Sequence, residues 1–261
     1  MNKASRLLQI KELLMSQQQV FVDDLSEMYN VSSVTIRKDL NELESQGYIQ
    51  RIYGGAVIKQ QSFFPRSIIR EEILHFSGDK QHIAEIARRM VHDGDHIFIG
   101  CGDTCAAVAQ ALIYHNINVV TNSILVAAIM SLNPRALVKI TGGTLSGYDR
   151  HFLSGDDVAK SIDSLNFKFA FLGAAGADFS HGFTTYSDFE GDVCSIVKSK
   201  TQHMVFVLGS SKFGNVNFQQ IGNLDMADMI ITDNGIPEEY RSYFSARNIR
   251  VITDIAGLSD I

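Results

Sequence analysis

The first nineteen residues alternate apolar and polar positions from the start. The segment from Val20 to Val22 is short and β-prone, and Asp23 is a good N-cap. The spacing after Asp23 predicts a second helix that runs to about Tyr29. The first helix is predicted from four apolar residues that share one face: Leu7, Ile10, Leu13 and Leu14.

A third helix is predicted to follow the tight turn at residues 30–31. Either Ser32 or Ser33 can cap it, because a serine hydroxyl accepts a hydrogen bond from the first turn of a helix. Ile36, Leu40 and Leu43 recur at the spacing of a single helical face. We expect these three side chains to be buried.

The opposite face of the third helix is polar. At about 100° per residue, its centre consists of Val34, Lys38 and Asn41. Thr35 and Arg37 flank that centre. An exposed face that carries two adjacent cations is expected either to bind an anionic partner or to be solvated.

A β-hairpin is predicted after the third helix. Gly47 is expected to end the helix, the residues from Tyr48 to Tyr53 alternate, and Gly54-Gly55 should turn the chain. Three short helices followed by a hairpin predict a winged helix-turn-helix, whose third helix enters the major groove of DNA. The alternative is a three-helix protein-interaction module, and amphipathicity alone does not separate the two.

Several side chains of this segment have the chemistry for DNA binding. Hydroxyls at the helix N-terminus can bind phosphates or bases, and an arginine can read guanine bidentately. Arg51 and Tyr53 would lie on the wing, against the backbone or the minor groove. The candidate DNA-binding residues are Ser32, Ser33, Val34, Thr35, Arg37, Lys38, Asn41, Arg51 and Tyr53.

The net charge of the chain does not indicate a nucleic-acid partner. The chain of 261 residues has a formal charge of −6, and residues 1–60 hold seven cations and seven acids. Phosphate attraction acts only within about 8–10 Å, so local clustering of cations counts for more than the total. With 45% apolar residues the composition is that of a globular protein.

From about residue 80 the pattern changes to alternating helices and strands. Such alternation predicts an α/β domain with a mainly parallel sheet and right-handed crossovers. Ligands of such sheets bind at the carboxyl ends of the strands. The loops expected at those ends are 100–105, 121–123, 141–143, 173–178 and 209–214, in the letters GCGDTC, TNS, TGG, GAAGAD and GSSKFG.

Most residues of these loops are small or hydroxylic. Backbone NH groups at helix N-termini, together with hydroxyls, form cradles for anions, and Lys212 adds a positive charge. Each loop by itself is typical of an ordinary strand-to-helix turn, whereas five in order indicate a site. A dinucleotide cofactor is excluded, since Cys105 stands where the third glycine of the fingerprint belongs and no acid follows at the required spacing.

The N-terminal segment resembles a known family of regulators. The residues VSSVTIRKDLNELESQGYIQRIYGGAV, from Val31 to Val57, look like the DNA-binding signature of the DeoR family, bacterial regulators of sugar catabolism. TIRKDL followed by RxYGGA is specific to that signature. The resemblance implies that Arg37, Lys38 and Arg51 are the cations that contact DNA.

The C-terminal loops match the effector domain of the same family in order, and that domain resembles the ribose-5-phosphate isomerase fold. The family's ligands are typically phosphorylated sugars. The resemblance implies a phosphate cradle at residues 102–105 with the other loops around the sugar. The implied effector-binding residues are Gly100, Cys101, Gly102, Asp103, Thr104, Cys105, Asn122, Ser123, Gly143, Gly173, Gly176 and Lys212.

The first ligand loop departs from the family pattern. Gly100 replaces an Asp, Asp103 replaces a hydroxyl and Cys105 replaces a Thr. The family also tends to have an Asp where Gly209 stands. A carboxylate beside a phosphate is repulsive unless a cation offsets it. Either the ligand is not the usual phosphate, or Asp103 points at sugar hydroxyls.

Other candidate chemistry is weaker. The run from His92 to His96 could hold a metal, but a Gly-centred acidic turn between a helix and a strand is the simpler interpretation. An isomerase would need a general base and acid, for which Asp178, Glu190 and Lys198 are candidates outside any specific catalytic motif. No cofactor or metal is expected.

The predicted organisation is a winged helix-turn-helix domain at 1–57, a linker at 58–78 and an effector-binding α/β domain at 79–261. We expect a DNA-binding repressor of a sugar-utilisation operon that is not an enzyme. Its partners would be double-stranded operator DNA, a sugar or sugar-phosphate effector and copies of itself. The alternatives are a sugar-phosphate isomerase-like enzyme with an appended module and a protein-interaction adaptor. Three cysteines, no signal peptide and no membrane span indicate the cytoplasm.

Overall fold

The computed structural model describes residues 3, 6, 7, 9, 10, 13, 14, 19–45, 49–58, 76–145, 152–186 and 191–258. The chain divides into two compact units between Phe63 and Phe64. Most of the predicted linker, residues 59–75, lies outside the described part of the chain. So does Gly47, the predicted end of the third helix.

The N-terminal unit has helical residues before position 15 and a small antiparallel sheet with strand order β1-β3-β2. Asn30, in a left-handed conformation with φ 49°, connects its two helices of defined length. The elements are β1 (Gln19–Phe21), α1 (Val22–Tyr29), α2 (Ser33–Ser45), β2 (Ile49–Ile52) and β3 (Gly55–Ile58). Helix α2 is the predicted third helix.

The turn of the hairpin lies one residue earlier than the sequence predicted. Ile52 pairs with Gly55, so the turn consists of Tyr53 and Gly54, and Gly54 has φ +76°. Gly55 belongs to β3, where an added Cβ would lie 2.2 Å from the carbonyl oxygen of Val20. Gly54 therefore provides the positive φ and Gly55 provides the close approach of β1.

The predicted buried face of α2 is confirmed. Ile36, Leu40 and Leu43 are fully buried, in a cluster with apolar residues of the N-terminal helical segment, α1 and β2. Asp39 is also buried, and its carboxylate accepts a hydrogen bond from Arg6 Nε at 2.6 Å and from Arg6 Nη2 at 3.3 Å. This ion pair joins α2 to the N-terminal helical segment, and the periodicity of apolar residues does not reveal it.

The C-terminal unit is built on a sheet of seven strands, and all neighbouring pairs are parallel. Its strands are β4 (His96–Ile99), β5 (Asn118–Thr121), β6 (Leu137–Ile140), β9 (Phe167–Leu172), β12 (Thr201–Val207), β14 (Met229–Ile231) and β15 (Arg250–Ile252). The shorter strands are β7 (Thr144–Leu145), β8 (Leu153–Ser154), β10 (Gly176–Asp178), β11 (Gly182–Thr185) and β13 (Gln219–Gly222).

Helices cover both faces of the large sheet. They are α3 (Gly78–Met90), α4 (Asp103–Ala111), α5 (Ile124–Met130), α6 (Asp156–Ile162), α7 (Gly191–Ser199) and α8 (Glu238–Ser245), with short 3₁₀ helices at 210–212, 224–226 and 255–258. Alternate strand residues belong to two cores: Ile97 and Ile99 pack with α3, α4 and α5, whereas Phe98 packs with α6, α7 and α8. This separation follows from the two-residue period of a strand.

The strand order reverses at one position. The order is β15-β14-β12-β9-β4-β5-β6, so the chain moves outward from β4 in one direction and from β9 in the other. Ligands of parallel α/β sheets bind beyond the carboxyl ends of the strands at such a switch point. The loops after Ile99 and Leu172 border it. A second, antiparallel sheet of β10, β11 and β13 continues from the loop after β9.

Candidate functional site

The outer face of α2 is exposed as the sequence predicted. Val34 is 59% exposed, and Arg37, Lys38 and Asn41 are exposed as well. The two cations have no acidic partner among the residues that the structure describes. This face therefore presents two adjacent positive charges to solvent, on a helix whose other face is anchored in a core.

Ser32 caps α2. Its Oγ accepts a hydrogen bond from the backbone NH of Thr35 at 3.2 Å and lies 2.9 Å from Thr35 Oγ1. Ser33, half-buried like Thr35, is the first helical residue. The hydroxyls thus cluster at the positive end of the helix, where backbone NH groups favour an anion such as a phosphate.

Arg51 lies between the hairpin and α2, and its hydrogen bonds are made within the protein. Its Nη1 donates to Asn41 Oδ1 at 2.6 Å and its Nε donates to the carbonyl oxygen of Gly55 at 3.1 Å. Its backbone NH donates to Glu44 Oε1 at 3.0 Å. The side chain joins the wing to the helix, while Tyr53, fully exposed at the turn, extends from the tip of the wing.

The loops after β4 and β9 meet at the switch point. The backbone NH of Gly100 donates to the carbonyl oxygen of Phe171 at 2.9 Å. Cys105 is buried, and its Sγ donates to the same oxygen at 3.6 Å. An added Cβ on Gly173 would lie 3.3 Å from the carbonyl oxygen of Cys101, so Gly173 allows the two loops to approach. Cys105 is a packing residue of this loop.

Asp103, which replaces a hydroxyl residue of the family pattern, is paired with Lys80, a cation that the sequence analysis did not identify. Asp103 is the first residue of α4, after Gly102 with φ +97°. Lys80 of α3 donates to Asp103 Oδ2 at 2.7 Å. Thr104 is half-buried beside it. The carboxylate at this helix end is therefore offset by an ammonium from the neighbouring helix.

Asn122 and Ser123 lie at the end of β5. Ser123 is buried and caps α5, since its Oγ accepts from the backbone NH of Val126 at 3.3 Å. Asn122 is 2% exposed, and its Nδ2 donates to the carbonyl oxygen of Leu153 at 3.1 Å. Its Oδ1 and the Oγ1 of Thr141 are buried with no hydrogen-bond partner among the described residues. Buried acceptors of this kind need a donor from a ligand or from water.

Two predicted glycines are required by packing. An added Cβ on Gly143, which has φ +130°, would lie 2.6 Å from the carbonyl oxygen of Ser154. An added Cβ on Gly176 would lie 2.3 Å from the carbonyl oxygen of Asn215. Both glycines permit backbone segments to approach closely, and Gly176 is the first residue of β10.

Lys212 ends a 3₁₀ helix that follows β12. It is half-buried, and its ammonium has no acidic partner within the described ranges. At the start of this helix, Asp233 Oδ2 accepts from the backbone NH of Ser210 at 2.7 Å. An added Cβ on Gly209 would lie 3.6 Å from the same oxygen. The carboxylate that is missing at position 209 is thus supplied nearby by Asp233.

Burial acts to raise the pKa of Asp233, but hydrogen bonds from Ser210 and from the backbone NH of Gly235 outweigh it and lower the pKa below its ordinary value. The carboxylate therefore remains charged at neutral pH. It orients the loop that carries Lys212, because its bond to Ser210 holds the first residue of that helix.

Two of the three candidate catalytic residues form structural contacts, and the third lies outside the described part of the chain. Lys198 forms an ion pair with Asp228 at 2.7 Å. Asp178 Oδ1 accepts from the backbone NH groups of Ser180 and His181 in the turn between β10 and β11. Glu190 lies outside the described residues. The same Asp178 oxygen lies 2.8 Å from His181 Nδ1, so this carboxylate is engaged within the turn.

The run from His92 to His96 forms a turn between α3 and β4. Asp95 accepts from the backbone NH of His92 at 3.0 Å and pairs with Lys168 at 2.9 Å, and Asp93 accepts from the backbone NH of Asn116. These carboxylates hold the turn. Among the described residues, no group of His, Cys, Asp and Glu is arranged to hold a metal, and no helix has the length and apolar composition needed to cross a membrane.

Comparisons with known proteins match both units. Residues 6–62 match the DeoR-like helix-turn-helix domain, and residues 76–234 match the DeoR C terminal sensor domain. The HTH-type transcriptional regulator IolR of Bacillus subtilis is 27% identical over 251 residues, which cover 95% of this chain and 98% of that protein.

Two further relatives are similar over most of their length. A putative aga operon transcriptional repressor of Escherichia coli O157:H7 is 30% identical, with 94% of this chain and 91% of that protein covered. The glycerol-3-phosphate regulon repressor of Escherichia coli K12 is 29% identical, with 93% and 95% covered. Among solved structures, ribose 5 phosphate isomerase A of Neisseria gonorrhoeae is 17% identical with a TM-score of 0.38, covering 51% of this chain and 52% of that one.

Proposed function

Because this chain belongs to the DeoR family and is a DNA-binding transcriptional regulator, not an enzyme, we propose that α2 and the wing read an operator under the control of a sugar-derived effector. The observation that carries the proposal is the outer face of α2. It presents Arg37 and Lys38 beside a hydroxyl cluster at the positive end of the helix. Cations and helix N-termini are the groups that bind DNA phosphates.

Some residues of the proposed DNA-binding surface contact DNA, and others hold the contacting residues in place. Hydroxyls of the first turn bind the backbone, the exposed cations bind phosphates or base edges, and Tyr53 approaches DNA from the wing. Arg51 supports this surface through Asn41 and Gly55. The proposed DNA-binding residues are Ser32, Ser33, Val34, Thr35, Arg37, Lys38, Asn41, Arg51 and Tyr53.

The target is proposed to be a sugar-utilisation operon, with the protein acting as its repressor. Two relatives bear the names of an aga operon repressor and a glycerol-3-phosphate regulon repressor. These names support both the sign of regulation and the chemical class of the metabolites concerned.

The effector is proposed to be a sugar or sugar phosphate at the switch point of the large sheet. The supporting observations are the reversal of strand order between β4 and β9, the buried Asn122 Oδ1 without a donor among the described residues, and the ammonium of Lys212. The effector changes DNA occupancy only if it binds the DNA-competent and DNA-incompetent states with different affinity. The proposed effector-binding residues are Gly100, Cys101, Gly102, Asp103, Thr104, Cys105, Asn122, Ser123, Gly143, Gly173, Gly176 and Lys212.

The proposed organisation keeps a DNA-binding domain at 1–57, a linker at 58–78 and an effector domain at 79–261. A homo-oligomer in the cytoplasm would present two or more copies of α2 to repeated half-sites, since paired half-sites need paired recognition helices. Sedimentation of the purified chain tests the oligomeric state.

The proposal is tested by titrating the full chain onto DNA fragments from upstream of its own and the neighbouring operons, at several salt concentrations. Specific binding that weakens steeply with salt and is relieved by a sugar or sugar phosphate is the expected result. Binding that is equally strong to unrelated DNA and unaffected by every sugar tested contradicts it.

A further inference from the structure

The N-terminal end of α4, where the helix dipole is positive, already carries the negatively charged side chain of Asp103. Asp103 is the first residue of this nine-residue helix, and its side chain is 69% exposed. Lys80 offsets that charge from α3 at 2.7 Å. The carboxylate and the paired ammonium offset each other, and the carboxylate occupies the helix end, so this end is not a vacant anion site.

A second anion at this helix end would meet the Asp103 carboxylate. That carboxylate would repel a phosphate, and the phosphate would have to share the Lys80 ammonium with it. A hydroxyl meets no such repulsion and donates a hydrogen bond to the carboxylate. Because Lys80 is already bonded to Asp103, the carboxylate favours a neutral donor over a phosphate at this position.

An independent observation lies at the end of the neighbouring strand. The pairing of Ile99 with Thr121 places Asn122 beside Gly100, at the base of the same loop. Asn122 is 2% exposed and its Oδ1 has no donor among the described residues. Thr141, next along the sheet, also has a buried Oγ1 without a partner in the described part of the chain. A ligand that supplies hydroxyl donors would satisfy Asn122 Oδ1.

This inference rests on the proposed effector site. We propose that the effector presents its hydroxyl groups, not a phosphate, to the N-terminal end of α4. Asp103 and Asn122 accept hydrogen bonds from these hydroxyls. Any phosphate of the effector binds towards Lys212, which follows β12. β12 lies two strands from β4, so the ends of these two strands are about 10 Å apart across the sheet. The ligand class is thus a polyhydroxylated compound that binds here through its polyol portion.

The experiment uses inorganic phosphate as the probe and the full chain as the protein. Every phosphate titration, the control included, uses the Lys212→Ala chain, because this change removes the proposed phosphate site. Isothermal titration at constant ionic strength compares that chain with the same chain carrying Asp103→Ser, which removes the carboxylate and leaves Lys80 available to an anion. We expect Asp103→Ser to tighten phosphate binding about tenfold. A gain of less than about threefold, or a loss, overturns the proposal.

The matched control is Asp156→Ser. Asp156 is likewise the first residue of a helix and follows Gly155, which also has a positive φ of 96°. This variant removes the same charge from a comparable helix end and should leave phosphate binding unchanged. An equal gain in both variants attributes the effect to net charge and overturns the proposal.

Neutral polyols and aldoses, each with its phosphate monoester where one exists, form the second arm. Any of them that raises the melting temperature of the unsubstituted chain should lose about tenfold in affinity in Asp103→Ser. Unchanged affinity overturns the proposal. Failure of the proposed regulatory function is a separate result, seen as DNA binding that no sugar relieves.

Discussion

Arg51 Nη1 lies 2.6 Å from Asn41 Oδ1, so the wing is bonded to the outer face of the helix that it accompanies. We expect Arg51→Ala to lower operator affinity about tenfold, because it removes several hydrogen bonds that hold the wing. The slope of log affinity against log salt should change by less than about half a unit. A double-mutant cycle with Asn41→Ala should be non-additive, since the two side chains share a bond. Loss of a full unit of slope would instead place Arg51 on a phosphate.

Arg37→Ala should lower operator affinity and also flatten the salt dependence. One phosphate contact accounts for about 0.9 units of that slope, because its cation releases condensed counterions. Salt titrations of the two proteins measure the difference. The control is Arg89→Ala, which removes a cation paired with Glu85 on α3 and should leave the slope unaltered. Unchanged affinity and slope in Arg37→Ala would remove Arg37 from the interface.

Asp39→Ala should destabilise the N-terminal unit by about 3–5 kcal/mol, because the guanidinium of Arg6 is left buried without its partner. Urea unfolding followed by a probe in that unit gives the free energy. The control is Glu42→Ala, which breaks the partly exposed Lys3–Glu42 pair at 2.5 Å between the same two segments. It should cost much less than Asp39→Ala. An equal loss of unfolding free energy in the two variants would contradict the claim that the burial of Arg6 and Asp39 makes their pair costly to break.

Lys212→Ala should leave operator binding intact and make it insensitive to effector. The prediction follows from the proposed role of the ammonium as the cation of the effector site. DNA release by sugar phosphates is the measurement, and Lys160→Ala, which removes an exposed lysine on α6, is the control. An effector response that survives Lys212→Ala would place the pocket elsewhere.

Glu85 gives a predicted pH dependence. Hydrogen bonds from Arg88, and more weakly from Arg89, lower its pKa to about 2. A depressed pKa in the folded state stabilises the protein above the ordinary value of about 4.5, and that contribution is lost as the pH falls towards about 2. Glu85→Gln should therefore lose less melting temperature between pH 6 and pH 2 than the unsubstituted chain. Glu239→Gln, at an exposed acid of α8, should behave like the unsubstituted chain.

The helical faces of the N-terminal unit were predictable because they repeat within a few residues. Ile36, Leu40 and Leu43 are buried at the spacing that predicts burial, and Ser32 caps the helix. The Arg6–Asp39 pair was not predictable, because its residues are 33 positions apart and each alone is typical of a solvated surface. The hairpin turn was displaced by one residue because Gly54 and Gly55 are both glycine, and only packing against β1 separates their roles.

The same distinction holds in the C-terminal unit. The alternation of helices and strands predicted a mainly parallel sheet, but not the antiparallel sheet of β10, β11 and β13. Lys80 was missed because its partner, Asp103, is 23 residues away on another helix. Gly176 was expected at the ligand, yet the nearby Asn215 backbone explains the need for glycine there. Contacts between residues far apart in the sequence form only in the completed fold, so the spacing of residue types along the chain does not predict them.

The reversal of strand order between β4 and β9 has an evolutionary consequence. The switch point lies where the chain leaves these strands in opposite directions, outside the two cores of the sheet, and the loops that border it follow the strand ends. Replacements in the bordering loops can therefore accumulate while the sheet retains its packing. A lineage can acquire a response to a new metabolite by changing a few loop residues and still inherit the fold unaltered.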